Sequence, residues 1–297
     1  MSATAERVSI WPTGAWSAAV KGLRRVVREP LGLVGLILVA LVTVSAIGAD
    51  WFAPYDATEI NVRNRMLWPS LEHLLGTDQL GRDLFSRVLY GGRIALEVAL
   101  ISIGLAVVIG LALGMLAGFG PRWLDAVLIF AFDTVRSFPT IMFALAVVTL
   151  VGPSLETIML IVVVTQIPVY ARVVRTQTLA LKGSEFIMAA RVMGVGTLRI
   201  MTVHLLPNVI GPLLILASMD IPFVVTIEAG LSFLGMGVRP PTPSWGSILN
   251  DGYSFISNTP WPVLAGGIPL ILTTLGFTFL GETLRDTFDP KLRRIIE

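Results

Sequence analysis

Residues 94–119 read IALEVALISIGLAVVIGLALGMLAGF, a run whose one charged residue is Glu97. It is long enough to cross a bilayer hydrocarbon core of about 30 Å, so it is read as a membrane-spanning helix. Working outward, uncharged runs place further spans near 31–50, 123–151, 156–174, 205–234 and 261–281. The fourth span is the shortest, because only 157–171 is free of charge, and Arg172 and Arg175 would have to snorkel to the interface. The expected fold class is therefore all-α: an integral membrane protein with six transmembrane helices.

Composition supports this reading. Apolar residues make up 54% of the chain and charged residues 14%, against roughly 25% charged in soluble domains. A cleaved signal peptide ending near Ala46-Ile47-Gly48 is disfavoured, because the apolar run 31–49 exceeds the ~7–15 residues of a signal core. The chain divides into a tail (1–30), a first span (31–50), an extracytoplasmic segment (51–93), a core of five spans (94–281) and a second tail (282–297). The core includes a loop at 175–204 and an outer loop at 235–260.

Basic residues set the orientation. With the N-terminus inside, Arg7, Lys21, Arg24, Arg25 and Arg28 lie in the cytoplasm with Arg122, with the loop residues Arg172, Arg175, Lys182, Arg191 and Arg199, and with Arg285, Lys291, Arg293 and Arg294. Fewer basic residues lie outside, so the positive-inside rule places both termini in the cytoplasm.

Several chemistries are excluded. The chain has no cysteine and two distant histidines, His73 and His204, which removes disulfides, thiolate chemistry and histidine metal motifs. Its three lysines follow Val20, Leu181 and Pro290, so no phosphate-cradling Gly-Lys is present, and no G-x-S-x-G elbow occurs. The chain is not read as an enzyme, it needs no cofactor of its own, and nucleic acid is not indicated as a partner. If ATP drives it, another chain hydrolyses the ATP.

Charges inside spans are the remaining candidate sites. Asp133 and Arg136, three apart on a helix, are read first as a structural pair. Asp220 and Glu228, two turns apart, are read as lining a wet pathway or bonding a neighbouring subunit. Glu97 and Asp125 are placed near span ends. Gly104, Gly110 and Gly114 are assigned to close helix packing.

The segment SEFIMAARVMGVGTLRIMTVHLLP, 184–207, carries a different signal. Phe186, Ala189, Ala190 and Met193 recur at i, i+3, i+4 and i+7, the spacing of one helical face. Ser184 is an N-cap candidate, Glu185 favours the helix dipole, and Gly194 and Gly196 end the helix. Such a helix can lie in lipid headgroups, cover its own spans or enter a partner's groove.

The series Ala189-Ala190, Gly194 and Leu206-Pro207 resembles the cytoplasmic EAA loop of ABC importer permeases. Met188 and His204 stand where that family usually has Glu and Ile. GTDQLGRDLFSRVLYGGR (76–93), LSFLGMGVRPPTPSWG (231–246) and GETLRDTFDPKLRR (281–294) resemble the dipeptide, oligopeptide and nickel branch. The resemblance implies a type I importer fold in which the helix from Glu185 to Gly194 docks into an ATPase subunit. It also implies a heterodimer with a homologous permease, two ABC ATPases that use ATP and Mg, an extracytoplasmic solute-binding protein, and residence in a bacterial inner membrane amid lipid. The solute would be a peptide or peptide-like molecule. The alternative is an autonomous carrier driven by an ion gradient, with Asp133, Asp220 and Glu228 as coupling groups.

Overall fold

The computed structural model describes residues 26–288. Most of both tails, with Arg7, Lys21, Arg24, Arg25, Lys291, Arg293 and Arg294, lies outside the described residues. Between these limits the chain forms helices α1 (Pro30–Ile47), α2 (Leu84–Phe119), α3 (Arg122–Arg136), α4 (Thr140–Val151), α5 (Leu155–Lys182), α6 (Glu185–Val192), α7 (Leu206–Phe233), α8 (Trp245–Tyr253) and α9 (Trp261–Phe288). Short helical turns occur at Ala49–Phe52 and Val62–Asn64, and a wider π-type turn at Ile200–Leu205 feeds α7. No strand forms among the described residues.

α1, α2, α5, α9 and the continuous run 197–233 are each long and apolar enough to cross a bilayer, and α3 with α4 makes a sixth if the bent pair is one span. That bend corrects the expected straight helix over 123–151. α3 and α4 meet at 85° across Ser137-Phe138-Pro139. Pro139 has no N–H to continue the helix and restricts Phe138 before it, while the Ser137 hydroxyl bonds the Asp133 carbonyl at 2.8 Å.

Other limits move as well. α5 runs to Lys182, well past 174, and α2 begins at Leu84, so most of the expected 175–204 loop and the end of the 51–93 segment are helical. Asp83 caps α2 by accepting the Ser86 N–H at 2.8 Å. Glu97 consequently sits on an exposed face inside α2 rather than near its end.

α2 and α5 pack where side chains are smallest. A methyl group added at Gly110 would meet Tyr170 Cβ at 2.8 Å, at Gly114 it would meet Val174 Cβ at 2.7 Å, and at Gly118 it would meet Thr178 Cβ at 2.7 Å. These glycines recur every four residues on one face, the small-xxx-small pattern of membrane helices. Gly104 has open space around it, so it does not belong to this contact. α1 packs on α9 in the same manner, with Gly35 against Leu280 and Gly276 against Leu38.

Gly114→Leu should force α2 and α5 apart, with overpacking of roughly 1–3 kcal/mol. Thermal unfolding of the detergent-purified complex is expected to show a lowered midpoint, and Gly104→Leu the wild-type value.

Candidate functional site

α6 is a short helix held by its surroundings. Ile187 and Ala190, three residues apart, point inward onto Ile200 and Leu205, with Phe119, Leu181, Val195 and Met201 around them. Phe119 ends α2 and is also the anchor for charge. Lys182 Nζ donates to the carbonyls of Gly118 and Phe119 at 3.2 and 3.1 Å, and the Arg191 guanidinium lies 4.9 Å from the Phe119 ring centre. Cations thus sit on the carbonyl end of α2, where the helix dipole favours them.

The exit from α6 depends on one glycine. Gly194 has φ +77°, and its N–H reaches the Arg191 carbonyl at 2.9 Å while that of Val195 reaches Ala190 at 3.0 Å. This left-handed residue reverses the chain so that Val195 can cover the helix. The entry differs from expectation, because the Ser184 hydroxyl bonds back to the Leu181 carbonyl at 2.6 Å and does not cap α6.

The expected single face of Phe186, Ala189, Ala190 and Met193 is divided. Ala190 is 2% exposed and belongs to the inward side, whereas Phe186, Ala189 and Met193 are exposed. Exposed with them are Met188, Val192 at 88% and Leu198 beyond the turn, and Glu185 is exposed at the first turn. The inward pair Ile187 and Ala190 is the i, i+3 signal that 184–207 offered and that the choice of Phe186 as reference residue obscured. Large apolar side chains at the tip of a clamped helix form a surface suited to a partner's groove.

At the opposite end of the spans, α8 lies across α2 and α7. Trp245 is buried over Gly91 and Gly92 and donates its indole N–H to the Val88 carbonyl at 2.9 Å. Ser244 and Ser247 form a reciprocal cap, the one local signal for this helix in a segment otherwise read as a loop. Asp78 accepts from Arg82 Nε at 2.6 Å and lies 3.5 Å from Arg87 Nε, and Asp251 of α8 lies 3.0 Å from Arg82 and 3.7 Å from Arg87. His73 Nδ1 meets Asp83 at 2.9 Å. Two buried guanidiniums shared by two carboxylates therefore pin the 51–83 segment and α8 to the start of α2. Nearby, Asp50 is held below the usual carboxylate range by hydrogen bonds from Arg93 and Tyr90.

The charges inside spans settle differently from the reading of the sequence. Asp133 pairs with Arg172 of α5 rather than with Arg136, because α3 ends at Arg136 and α5 runs alongside. Asp125 pairs with Arg175, 2.6 Å between Oδ2 and Nη2. Glu228 is 0% exposed within this one chain and accepts the Ser232 hydroxyl at 2.7 Å, so it neither bonds a neighbouring subunit nor faces an open path. α8 is the reason, since Ser244 and Gly246 close over this end of α7. Asp220 is half-buried, and its Oδ2 has no hydrogen-bond partner in the chain. Among the described residues no group of His, Asp and Glu is arranged to hold a metal.

Residues 110–294 match the family described as binding-protein-dependent transport system inner membrane component, and residues 17–69 match the N-terminal TM domain of oligopeptide transport permease C. The chain belongs to this permease family. It is 37% identical over 278 residues to the Dipeptide transport system permease protein DppC of Alkalihalophilus pseudofirmus, covering 94% of this chain and 90% of that one. It is 38% identical over 271 residues to the Glutathione transport system permease protein GsiD of Escherichia coli, covering 91% and 89%. A solved structure of the MetNI methionine ABC transporter in inward-facing conformations shares the fold, with TM-score 0.55 and 21% identity over 68% of this chain and 97% of that chain.

The protein is thus a permease subunit of an ABC importer, a membrane component whose kind works with ATPase and permease partners. The permease match begins at Gly110, the first glycine of the α2–α5 contact, and includes α6 and α8 whole.

Gly194→Val would place a β-branched residue at positive φ, at a cost of roughly 1–2 kcal/mol. The 183–196 connection is expected to become more protease-sensitive, with α2 and α5 unaffected in hydrogen exchange. Asp78→Asn removes one of two carboxylates facing two buried guanidiniums and should cost about 3–5 kcal/mol. A lowered unfolding midpoint with loss of 51–83 protection checks it.

Proposed function

We propose that this chain is one of two homologous permease subunits, paired as a heterodimer, in an ATP-driven importer of peptides or peptide-like solutes. Two cytoplasmic ABC ATPases bind ATP and Mg, one of them docking on α6, and an extracytoplasmic binding protein delivers the solute at the α8 end. Both termini then lie in the cytoplasm of a bacterial cell with the protein in its inner membrane. The observation that carries the reading is the two-sided α6: fastened to α2, α5 and the entry to α7 on one side, and presenting Phe186, Val192 and Met193 on the other. The names of the relatives support the peptide class.

Mechanically, α6 suits force transmission. When the ATPases close, a groove moving with them displaces the exposed tip, and the inward face transfers that motion to the ends of α5 and α7. These helices meet in the membrane, so a shift in their relative tilt alternates access to the path between them. The chain's own work is binding, orientation and movement; bond breaking belongs to the ATPases. An ion-coupled carrier gains nothing from such a surface, and of its coupling groups Asp133, Asp220 and Glu228 the last is sealed inside the chain.

Ala189→Asp places a charge on the docking face without entering the packed cluster. In the reconstituted complex it should reduce ATPase stimulation by loaded binding protein roughly tenfold, the loss of a docking contact worth more than ~1 kcal/mol. Normal stimulation with normal uptake would remove the docking role. Ala190→Asp is less diagnostic, because its carboxylate would be buried against Ile187 and Ile200 and would disturb folding.

A further inference from the structure

The segment between α1 and α2 forms a cup of about 160 Å³, lined by Asp56, Glu59, Asn61, Glu72, His73 and Asp83 among others. An apolar cavity of similar size, roughly 150 Å³, holds one benzene, so the cup has room for a single flat group and not for a dipeptide. Its floor is ordered by direct contacts. His73 is 6% exposed, its ring rests 4.8 Å from that of Tyr55 between centres, and its Nδ1 meets Asp83 at 2.9 Å. A carboxylate only accepts, so Nδ1 donates, and Nε2 of the neutral ring is left as an acceptor with no hydrogen-bond partner among the described residues. Asp83 in turn caps α2 through the Ser86 N–H at 2.8 Å.

The rim is acidic. Asp56, Glu59 and Glu72 are exposed, and none of the three forms an ion pair among the described residues. Two bonds from Thr58, at 2.7 Å each, hold the Asp56 carboxyl below the usual carboxylate range and so keep it charged. Arg82 and Arg87, the basic residues that follow the cup in sequence, are committed to Asp78 and Asp251. The cup therefore collects acceptors and negative charge without a cation to match. Large apolar side chains stand beside the acids: Ile60 next to Glu59, and Leu71, 98% exposed, next to Glu72. Exposed apolar residues around a polar pocket mark a surface that meets another protein rather than a free ion.

We propose that this cup receives an arginine side chain of the solute-binding protein. A guanidinium is flat and carries five donors, one positive charge and no acceptor, which is the complement of the cup; a lysine ammonium would match the charge but not the fork. The inference rests on the importer reading above and deepens it, because it gives the binding protein a contact on this chain. The ion network ties the segment of the cup to α8 through Asp251, the end at which the solute is delivered. Glu59 and Glu72 draw the charge in and pair with it, His73 Nε2 accepts from its tip, and Ile60 and Leu71 exclude water from the rim. Docking is felt by α2, since Asp83 joins the floor of the cup to the first turn of that helix.

The test uses the complete importer in nanodiscs and its loaded solute-binding protein, carrying a fluorophore. Affinity is read by anisotropy for the wild type and for the double variant Glu59→Gln with Glu72→Gln, whose exposed positions leave the fold intact; equal unfolding midpoints check that. The dissociation constant should rise about tenfold in the variant, and its association rate should depend less on salt. Blocking the arginines of the binding protein with phenylglyoxal should weaken binding to the wild type and change binding to the variant little, whereas acetylating its lysines should affect both alike. Equal affinity of the two importers would overturn the cup and leave the importer reading in place. So would a weakening reproduced by lysine acetylation and not by arginine blocking, or loss of the partner permease from the purified variant, which makes the cup a contact between permeases. No binding to the wild type removes the binding-protein reading and the cup with it.

Discussion

Three glycines, one helical turn apart on α2, let its backbone approach the side-chain roots of α5, and the placement of the other parts follows from that contact. Within a bilayer, apolar surface gains nothing by leaving lipid for protein, so helix association depends on close packing and on polar contacts. A stripe of Gly110, Gly114 and Gly118 provides the former. It fixes the axis of α5, and therefore the ends that α5 presents to both membrane surfaces. It also fixes Tyr170, whose Cβ rests over Gly110 and whose ring must then project away toward α7.

From this frame the two ends are finished by different physics. At the α6 end the connection is short and apolar, with Phe119 between two cations and a small cluster beneath Ile187. At the α8 end the connections are long and polar, and a buried ion network replaces apolar area. Two arginines facing two carboxylates hold their partners in one register, since any slip would bury an unpaired charge. A compact lever stands at one end and a rigid platform at the other.

The spans were legible because their signal is composition over some twenty residues, which tertiary contacts do not alter. Where prediction failed, the deciding information was local or came from another helix. Pro139 breaks a run that hydropathy alone reads as continuous. α8 is invisible to hydropathy, because its nine residues mix Trp, Gly, Ser and Asn, and its only strong mark is the reciprocal Ser244–Ser247 cap. For α6 the sequence supplied the helix, its first-turn Glu185 and its terminating Gly194, but not which face turns inward. That depends on Phe119 and Leu205, which a local window does not contain. Asp133 shows the same limit: Arg136 is near in sequence, Arg172 in space.

Asp220 and Glu228 make the general point within one helix. Both are carboxylic acids on α7, eight residues apart, and their sequence surroundings are equally apolar. Glu228 lies where α8 folds over the helix end, accepts a hydroxyl from Ser232 one turn away and is enclosed by its own chain. Asp220 lies two residues before Pro222, half-buried, with one carboxylate oxygen free of a hydrogen bond within the chain. An acid in a membrane helix must be neutralised, hydrogen-bonded or given a ligand, and the choice is made by what the neighbouring helix brings to the same depth. For Glu228 that neighbour is α8, which encloses it while Ser232 bonds one of its oxygens.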